Sequence, residues 1–394
     1  MGNTLLSMNI YIISLLLQMV MVVNRATPIF ASTNEDHYQK RIDVVDKGEG
    51  QRIKNITTKE DHMIMSKSCD IYNGSWVYDS SYPLYEAIEC PFLEKQFGCK
   101  MNGRPDSNYL KFRWDPFECH LPRFDGAHFL RRLRGKRLLF VGDSISLNQW
   151  QSLACMLHTA VPQSHYKLTR TEALSEFTFP AYNTSLMLLR DGFLIKVVKE
   201  DVRRVLVLNS VSQGNSWKGF DILIFNSWHW WLHTGRKQPW DLILDGDKKY
   251  KDMDRLVAYE KGLKTWVRWV DLNLKSTKTK VFFQGVSPDH MNALNWTAPN
   301  ARTCIGATQP LVRETYYEVI QQHPAERIVE KVLQRMKRPV HLLRITPLSQ
   351  LRRDAHPGIY GIGRQRLPDC SHWCLPGLPD TWNHLLYTSL YFNI

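Results

Sequence analysis

From about Gly126 onward, short apolar runs rich in β-formers alternate with longer segments of helical period, and few folds accept that alternation. The runs Arg137–Val141, Leu194–Val198, Arg204–Leu208, Phe220–Phe225, Lys280–Gln284 and Val340–Arg344 predict strands. Asn148–His158, Met253–Leu274 and Tyr316–Lys337 predict helices. Strands joined through helices lie parallel and take helices on both faces of the sheet. The expected class is therefore α/β: a three-layer α/β/α sandwich around a central, mainly parallel sheet, spanning 126–394. Upstream, 67–125 holds Cys69, Cys90, Cys99 and Cys119 among turn formers such as Asn102-Gly103 and Arg104-Pro105. So few periodic segments need covalent staples, and this stretch reads as a small disulfide-rich N-terminal module. Residues 25–66 are polar, charged and poor in aromatics, the composition of a flexible stem.

The first 24 residues set the compartment. Leu5–Val23 is apolar apart from Ser7, Asn9, Ser14 and Gln18, which fits a membrane-spanning anchor better than the shorter core of a signal peptide. Arg25 follows the run and no Lys or Arg precedes it, the reverse of the asymmetry that holds an N-terminus in the cytosol. Small residues within Ala26–Ser32 keep a cleaved signal peptide open as the alternative; both routes lead into the secretory pathway. An oxidising lumen suits the 8 cysteines, whose even number suggests four disulfides. No Cys-x-x-Cys pair occurs, which excludes a zinc ribbon or a thioredoxin motif. Asn55, Asn73, Asn183 and Asn295 each open a glycan-acceptor triplet. In that compartment a net charge of +13 points away from nucleic acid, towards uronic-acid polysaccharides or an anionic membrane surface. Dispersed Lys and Arg also serve simple solubility.

The strand ending at Val141 runs into Gly142-Asp143-Ser144, and a helix follows, with Leu147, Trp150, Leu153, Ala154 and Leu157 at helical spacing. Asp143 or Ser144 can be an ordinary N-cap. The same geometry exposes the Ser144 hydroxyl at the carboxyl end of a strand, where α/β sheets bind ligands, and leaves its N–H free for an oxyanion. A serine nucleophile needs a histidine oriented by a carboxylate. Two Asp-x-x-His stretches supply one: Asp125-Gly-Ala-His128 and Asp369-Cys-Ser-His372. The first lies just ahead of the serine strand, at its wrong end. The second follows the last predicted strand and is flanked by Cys370 and Cys374, so it is the stronger candidate. Asn226 ends the strand Phe220–Phe225 and can face the same crevice, as an oxyanion donor or as a turn former. Trp228, Trp230 and Trp231 are candidates for stacking on sugar rings, or for the core. His229 and His233 lack a third ligand nearby, so no metal site is expected.

Several longer stretches stand in a fixed order: Ser68-Cys-Asp-Ile-Tyr-Asn-Gly-Ser-Trp-Val77, Arg113-Trp-Asp-Pro-Phe-Glu-Cys119, Gly142-Asp-Ser-Ile-Ser-Leu-Asn-Gln-Trp150, Phe225-Asn-Ser-Trp-His-Trp-Trp231 and Asp369-Cys-Ser-His-Trp-Cys374. Gly-Asp-Ser with a late Asp-x-x-His resembles the SGNH/GDSL esterase superfamily. From about Cys69 to the C-terminus the whole set resembles the plant trichome birefringence-like family of cell-wall polysaccharide O-acetyltransferases. Many members carry Arg where this chain has Leu147. The resemblance implies an SGNH-like catalytic domain with Ser144 as nucleophile, His372 as base and Asp369 as its orienting partner. It implies a lumenal Golgi enzyme that needs no bound cofactor, takes acetyl from a donor co-substrate, and passes it to a polysaccharide, xylan ahead of pectin. An esterase with the same residues, or a non-catalytic polysaccharide binder using the Trp cluster, are the other readings.

The cysteine distribution narrows the pairing. Cys69, Cys90, Cys99, Cys119 and Cys155 form an odd group, Cys304 stands alone, and a Cys370–Cys374 bond would close a tight ring across the His372 turn. Cys304 is therefore expected to take one of Cys370 and Cys374, with the other reaching back to the N-terminal module.

Overall fold

The computed structural model describes residues 69–171, 173–274, 277–291, 303–311, 322–361 and 368–391. The apolar segment Leu5–Val23, the stem 25–66, the acceptors Asn55 and Asn295 and the start of the predicted helix Tyr316–Lys337 lie outside them.

A hairpin-like pair opens the described chain: β1 (Gly74–Tyr78) lies antiparallel to β2 (Phe112–Pro116). After α1 (Gly126–Arg132) come β3 (Arg137–Gly142) and the long α2 (Ser144–Ala160), then β4 (Lys167–Arg170), β5 (Leu174–Phe179) and β6 (Thr184–Arg190). β7 (Ile195–Glu200), β8 (Arg203–Val211), β9 (Ile222–Phe225), β10 (Leu242–Asp245) and β11 (Lys248–Tyr250) lead to α3 (Arg255–Asn273) and β12 (Lys280–Gln284). α4 (Pro324–Leu333), β13 (His341–Leu343), α5 (Thr346–Gln350) and α6 (Leu378–Tyr391) complete the order. The central sheet has seven strands in the order β13-β12-β9-β3-β6-β5-β4. β13, β12, β9, β3 and β6 are parallel, and β5 and β4 extend them as an antiparallel edge.

Strand alternation divides the core into the expected layers. Leu138 and Phe140 of β3 join Trp150 and Leu153 of α2 and Trp382 and Leu386 of α6 on one face. Leu139 and Val141 join Trp266 and Val270 of α3 and Val329 and Val332 of α4 on the other. Both faces of β3 and β9 are covered, which is why their sequences read as unbroken apolar runs and not as alternation.

Three expectations need correcting in detail. The predicted strands Leu194–Val198 and Arg204–Leu208 do not enter the central sheet. They pair antiparallel as β7 and β8 in a second, four-stranded sheet of order β11-β10-β8-β7. The tight turn between them, with Asp201 at φ 53°, is too short for the crossover that parallel neighbours need. β6, in contrast, was not expected, because Thr-Ser-Leu-Met-Leu-Leu-Arg is built mostly from helix formers. Its place between β3 and β5 overrides that preference. α6 was missed as well: Pro379 sits in its first turn, where a missing N–H costs nothing, and Trp382, Leu385 and Leu386 are fully buried. In the described part of Tyr316–Lys337 the helix begins only at Pro324, the same first-turn placement.

Four disulfides use every cysteine: Cys69–Cys119, Cys90–Cys155, Cys99–Cys374 and Cys304–Cys370. The two cysteines flanking His372 thus diverge, one to Cys304 and the other to the N-terminal module, as their distribution suggested. The described residues form one compact unit, in which the module is part of the body. Arg104, 6% exposed, donates from the module to the carbonyls of Asp354 and His356. Cys99–Cys374 spans 275 residues of sequence, so its loss releases a long loop. A Cys99→Ser/Cys374→Ser double variant is expected to lose about 2–5 kcal/mol of stability. The urea midpoint measures this, and an unchanged midpoint would show that the module and the His372 turn are not coupled through this bond.

Candidate active site

All parallel strands of the central sheet end at one edge, and the segments leaving that edge supply the site. β3 stops at Gly142 because nothing larger fits: a Cβ there would lie 2.3 Å from Ser146 Oγ and 2.6 Å from the Asn226 carbonyl oxygen. Asp143 then caps α2, its Oδ1 accepting from the Ile145 N–H at 2.9 Å. Its Oδ2 accepts from the His229 N–H at 3.1 Å, which ties the helix start to the turn after β9. The cap is therefore Asp143, and Ser144 begins the helix. From Leu138 to Leu157 every residue is buried except Ser144.

The half-buried Ser144 hydroxyl has a partner. His372 Nε2 lies 2.7 Å from Ser144 Oγ, and His372 Nδ1 lies 2.8 Å from Asp369 Oδ2. Asp369 Oδ1 accepts from the N–H groups of Ser371 and His372 and from the Ser371 hydroxyl, each at 3.0 Å. Burial opposes ionisation of Asp369, but the hydrogen bond and charge of His372, with those N–H groups, hold its carboxyl well below the usual carboxylate range. For His372 burial pulls the pKa down, and the hydrogen bond and charge of Asp369, with Asp143 and Asp289 adding, override it, leaving the imidazole more basic than usual. Phe97 of the N-terminal module packs its buried ring 5.9 Å from that of His372.

The other candidates fall elsewhere. Asp125 caps α1 by accepting from the His128 N–H, and His128 Nδ1 meets the Tyr387 hydroxyl on α6, while His372 is the histidine that meets Ser144. Asn226 is 2% exposed beside the end of β3, its N–H donating to the Val141 carbonyl and its Oδ1 without a partner among the described residues. Trp228 and Trp231 are core residues packed on Tyr259; Trp230 stays partly exposed, its ring against Gly192. Asn183 is exposed in a left-handed turn at φ 48°, and Asn73 is partly buried ahead of β1. Among the described residues no group of three or more His, Cys, Asp or Glu is placed to hold a metal ion.

Sequence reasoning missed Asn148. One turn along α2 from Ser144, it accepts from the Trp373 N–H at 2.8 Å and donates to the Trp373 carbonyl at 3.1 Å. Both ends of one amide thus clamp the residue after His372. The four-residue spacing from Ser144 was the available signal, since it puts both side chains on one helix face.

A GDSL/SGNH-like acyl-esterase is the class that this edge and these contacts define. The family model described as "GDSL/SGNH-like Acyl-Esterase family found in Pmr5 and Cas1p" matches residues 121–389, and the "PMR5 N terminal Domain" matches residues 67–120. The chain is 56% identical over 330 residues to Protein trichome birefringence-like 43 of Arabidopsis thaliana, covering 83% of this chain and 89% of that one. It is 54% identical over 323 residues to Protein trichome birefringence-like 40 of the same plant, covering 82% and 87%. The chain belongs to the trichome birefringence-like family, and acyl-ester chemistry is the activity class that goes with its PC-esterase domain.

The clamp generates a test. Asn148→Ala leaves a buried N–H and C=O of Trp373 unpaired, each worth roughly 1–3 kcal/mol. A stability loss in that range, read from chemical denaturation, is expected; a variant as stable as the parent would remove Asn148 from the support of the turn.

Proposed function

We propose that this protein is an O-acetyltransferase that acetylates hydroxyls of a plant cell-wall polysaccharide, xylan ahead of pectin, through an acetyl-serine intermediate on Ser144. The observation that carries the reading is the chain of contacts Asp369–His372–Ser144, at 2.8 and 2.7 Å, at the first residue of α2. Ser144 Oγ attacks the acetyl carbonyl of the donor while His372 Nε2 takes its proton, and Asp369 holds the ring by its Nδ1–H. The Ser144 N–H, unpaired at the start of α2, and the side chain of Asn226 stabilise the oxyanion. The donor leaves with the proton from His372. A sugar hydroxyl then gives its proton to His372 and attacks the acetyl-serine, and the new ester forms as His372 passes that proton to the departing Ser144 Oγ. No bound cofactor takes part, and the donor is a co-substrate. The basic chain and partly exposed Trp230 support a polysaccharide acceptor and not nucleic acid. Leu5–Val23 would anchor the protein in the Golgi membrane with its catalytic domain in the lumen, or, if cleaved, release it to the wall; Asn183 suits a lumenal glycan.

The family description favours a second reading, an acetylesterase in which water replaces the sugar. The purified protein, incubated with an acetyl donor and with xylan, mannan and pectin oligomers, separates the two. Acetylated xylan oligomers in the mass spectrum are the expected result; acetate release without transfer would make it an esterase. Ser144→Ala and His372→Ala should each lower turnover by roughly 10⁴-fold, because the members act as a unit. His128→Ala should leave it unchanged. A Ser144→Ala enzyme within about tenfold of the parent rate would end both catalytic readings.

The pH dependence has a definite sign. His372 must be neutral to take the proton, and its pKa is raised, so kcat/KM should climb with pH through a midpoint higher than that of an ordinary histidine. Asp369→Asn removes the main raising interactions and leaves burial, so the residual activity should have this limb displaced to lower pH. A limb that stays in place would mean that another group titrates.

A further inference from the structure

Behind the His372 turn lie two buried histidines that the proposed chemistry does not use. His290 follows β12 and is 3% exposed; His356 follows α5 and is 2% exposed. His356 Nδ1 is 2.6 Å from the carbonyl oxygen of His372, and His290 Nε2 is 3.1 Å from that of Gln350. A carbonyl oxygen only accepts, so both of these nitrogens carry hydrogen. The two nitrogens that remain, His290 Nδ1 and His356 Nε2, face each other at 2.6 Å. With both rings neutral, two lone pairs would meet at that distance. Three protons on the four nitrogens satisfy these three contacts.

We propose that His290 and His356 form a positioning pair that shares one extra proton, and that the protonated pair holds the His372 carbonyl and so aims the base at Ser144. This rests on the reading of His372 as base. The pair also grips the turn elsewhere, since the His290 N–H donates to the Cys370 carbonyl at 3.0 Å. Its walls are well defined. Trp373 stacks on His356 with ring centroids 3.7 Å apart and presents its edge to His290. Arg104 donates to the His356 carbonyl. Burial is the largest force against the charge, pulling His290 down to about 4 and His356 well below its ordinary value. Arg353 adds to that at His290, and the charge of His290 and then of His372 adds to it at His356, while the Gln350 and His372 carbonyls and the Asp369 carboxylate work for the proton. The inter-ring hydrogen bond is charge-assisted and short, and every N–H of the cation ends on an acceptor, which is how a buried charge is held.

The sign follows. The base needs His372 neutral, which favours higher pH; the pair needs its proton, which a rise in pH removes. Activity is therefore bounded on the alkaline side by the pair, a limb separate from the acid one.

Nuclear magnetic resonance of the protein carrying ¹⁵N-histidine counts the protons directly. The two rings are assigned by the signals lost in His290→Gln and His356→Gln. At the pH of greatest activity, three N–H protons on the pair, one strongly deshielded, are expected; two would overturn the proposal. This count is read without turnover, so it stands even if His372 proves not to be the base. In kinetics, His290→Gln can still donate an amide N–H to His356 but cannot carry charge, so it should stay active and lose the alkaline limb. His356→Phe should lower kcat by at least about tenfold with KM little changed. An alkaline limb unmoved in His290→Gln would likewise overturn the role of the shared proton.

Discussion

Ser144 and His372 are 228 residues apart, and a contact of 2.7 Å between them depends on how firmly the turn 369–374 is held. That turn has no helix or strand of its own to stiffen it. It is held instead from every side. The backbone of Asp369 exchanges both its hydrogen bonds with Gly358, at 2.8 and 2.9 Å. Asn148 clamps Trp373, the N–H of Cys374 donates to the Ala355 carbonyl, and that of Leu375 to the Phe97 carbonyl. Two disulfides leave the turn in different directions. A turn fixed this way has little backbone entropy left to lose when its side chains engage a ligand, which is the condition for preorganisation.

The N-terminal module belongs to this support. Arg352, 1% exposed, pairs with the buried carboxylate of Asp354, donates to the Tyr109 carbonyl of the module, and lies 4.3 Å over the Trp76 ring. A buried ion pair adds little net stability over apolar residues of the same volume, because desolvation offsets the attraction. It does fix one arrangement: with its hydrogen bonds spread over module and domain, any shift of one against the other strands a charge. The same holds for Arg104, whose ring contact with Tyr109 at 3.9 Å lies within the module while its donors reach the segment 354–356. The segment ahead of the turn 369–374 is thus oriented by residues that precede β3 in the chain.

What the sequence disclosed follows from range. Gly142-Asp143-Ser144 and Asp369-x-x-His372 are local patterns whose geometry is set within one turn, and each was legible as such. The divergent disulfides were legible by counting, since an odd group of cysteines must send a partner out. β6 and α6 were hidden because tertiary burial, and not local preference, decides them: Leu and Met fill a strand, and a helix begins on Pro379. Asn148, His290 and His356 were hidden for a different reason. Each side chain meets a backbone carbonyl elsewhere in the chain, of Trp373, Gln350 and His372 respectively, and a backbone carbonyl leaves no mark in a sequence.

The same range explains the composition of α2. A helix packed between a sheet and α6 could be apolar throughout, yet Ser146, Asn148, Gln149, Gln151 and Ser152 are all fully buried in it. Four of them have long-range work through side chain or backbone. Gln151 Oε1 accepts from the Glu94 N–H in the module, Asn148 holds Trp373, the Gln149 carbonyl accepts from Asn383, and Ser152 donates to Asp380 on α6. An apolar helix could rotate or slide in its groove at modest cost; here the same motion would break four bonds to three separate elements, and each buried group stripped of its partner is expensive in a dry core. The serine at its first turn inherits that restriction. Its hydroxyl points where His372 waits because the polar residues along the rest of the helix leave it a single register.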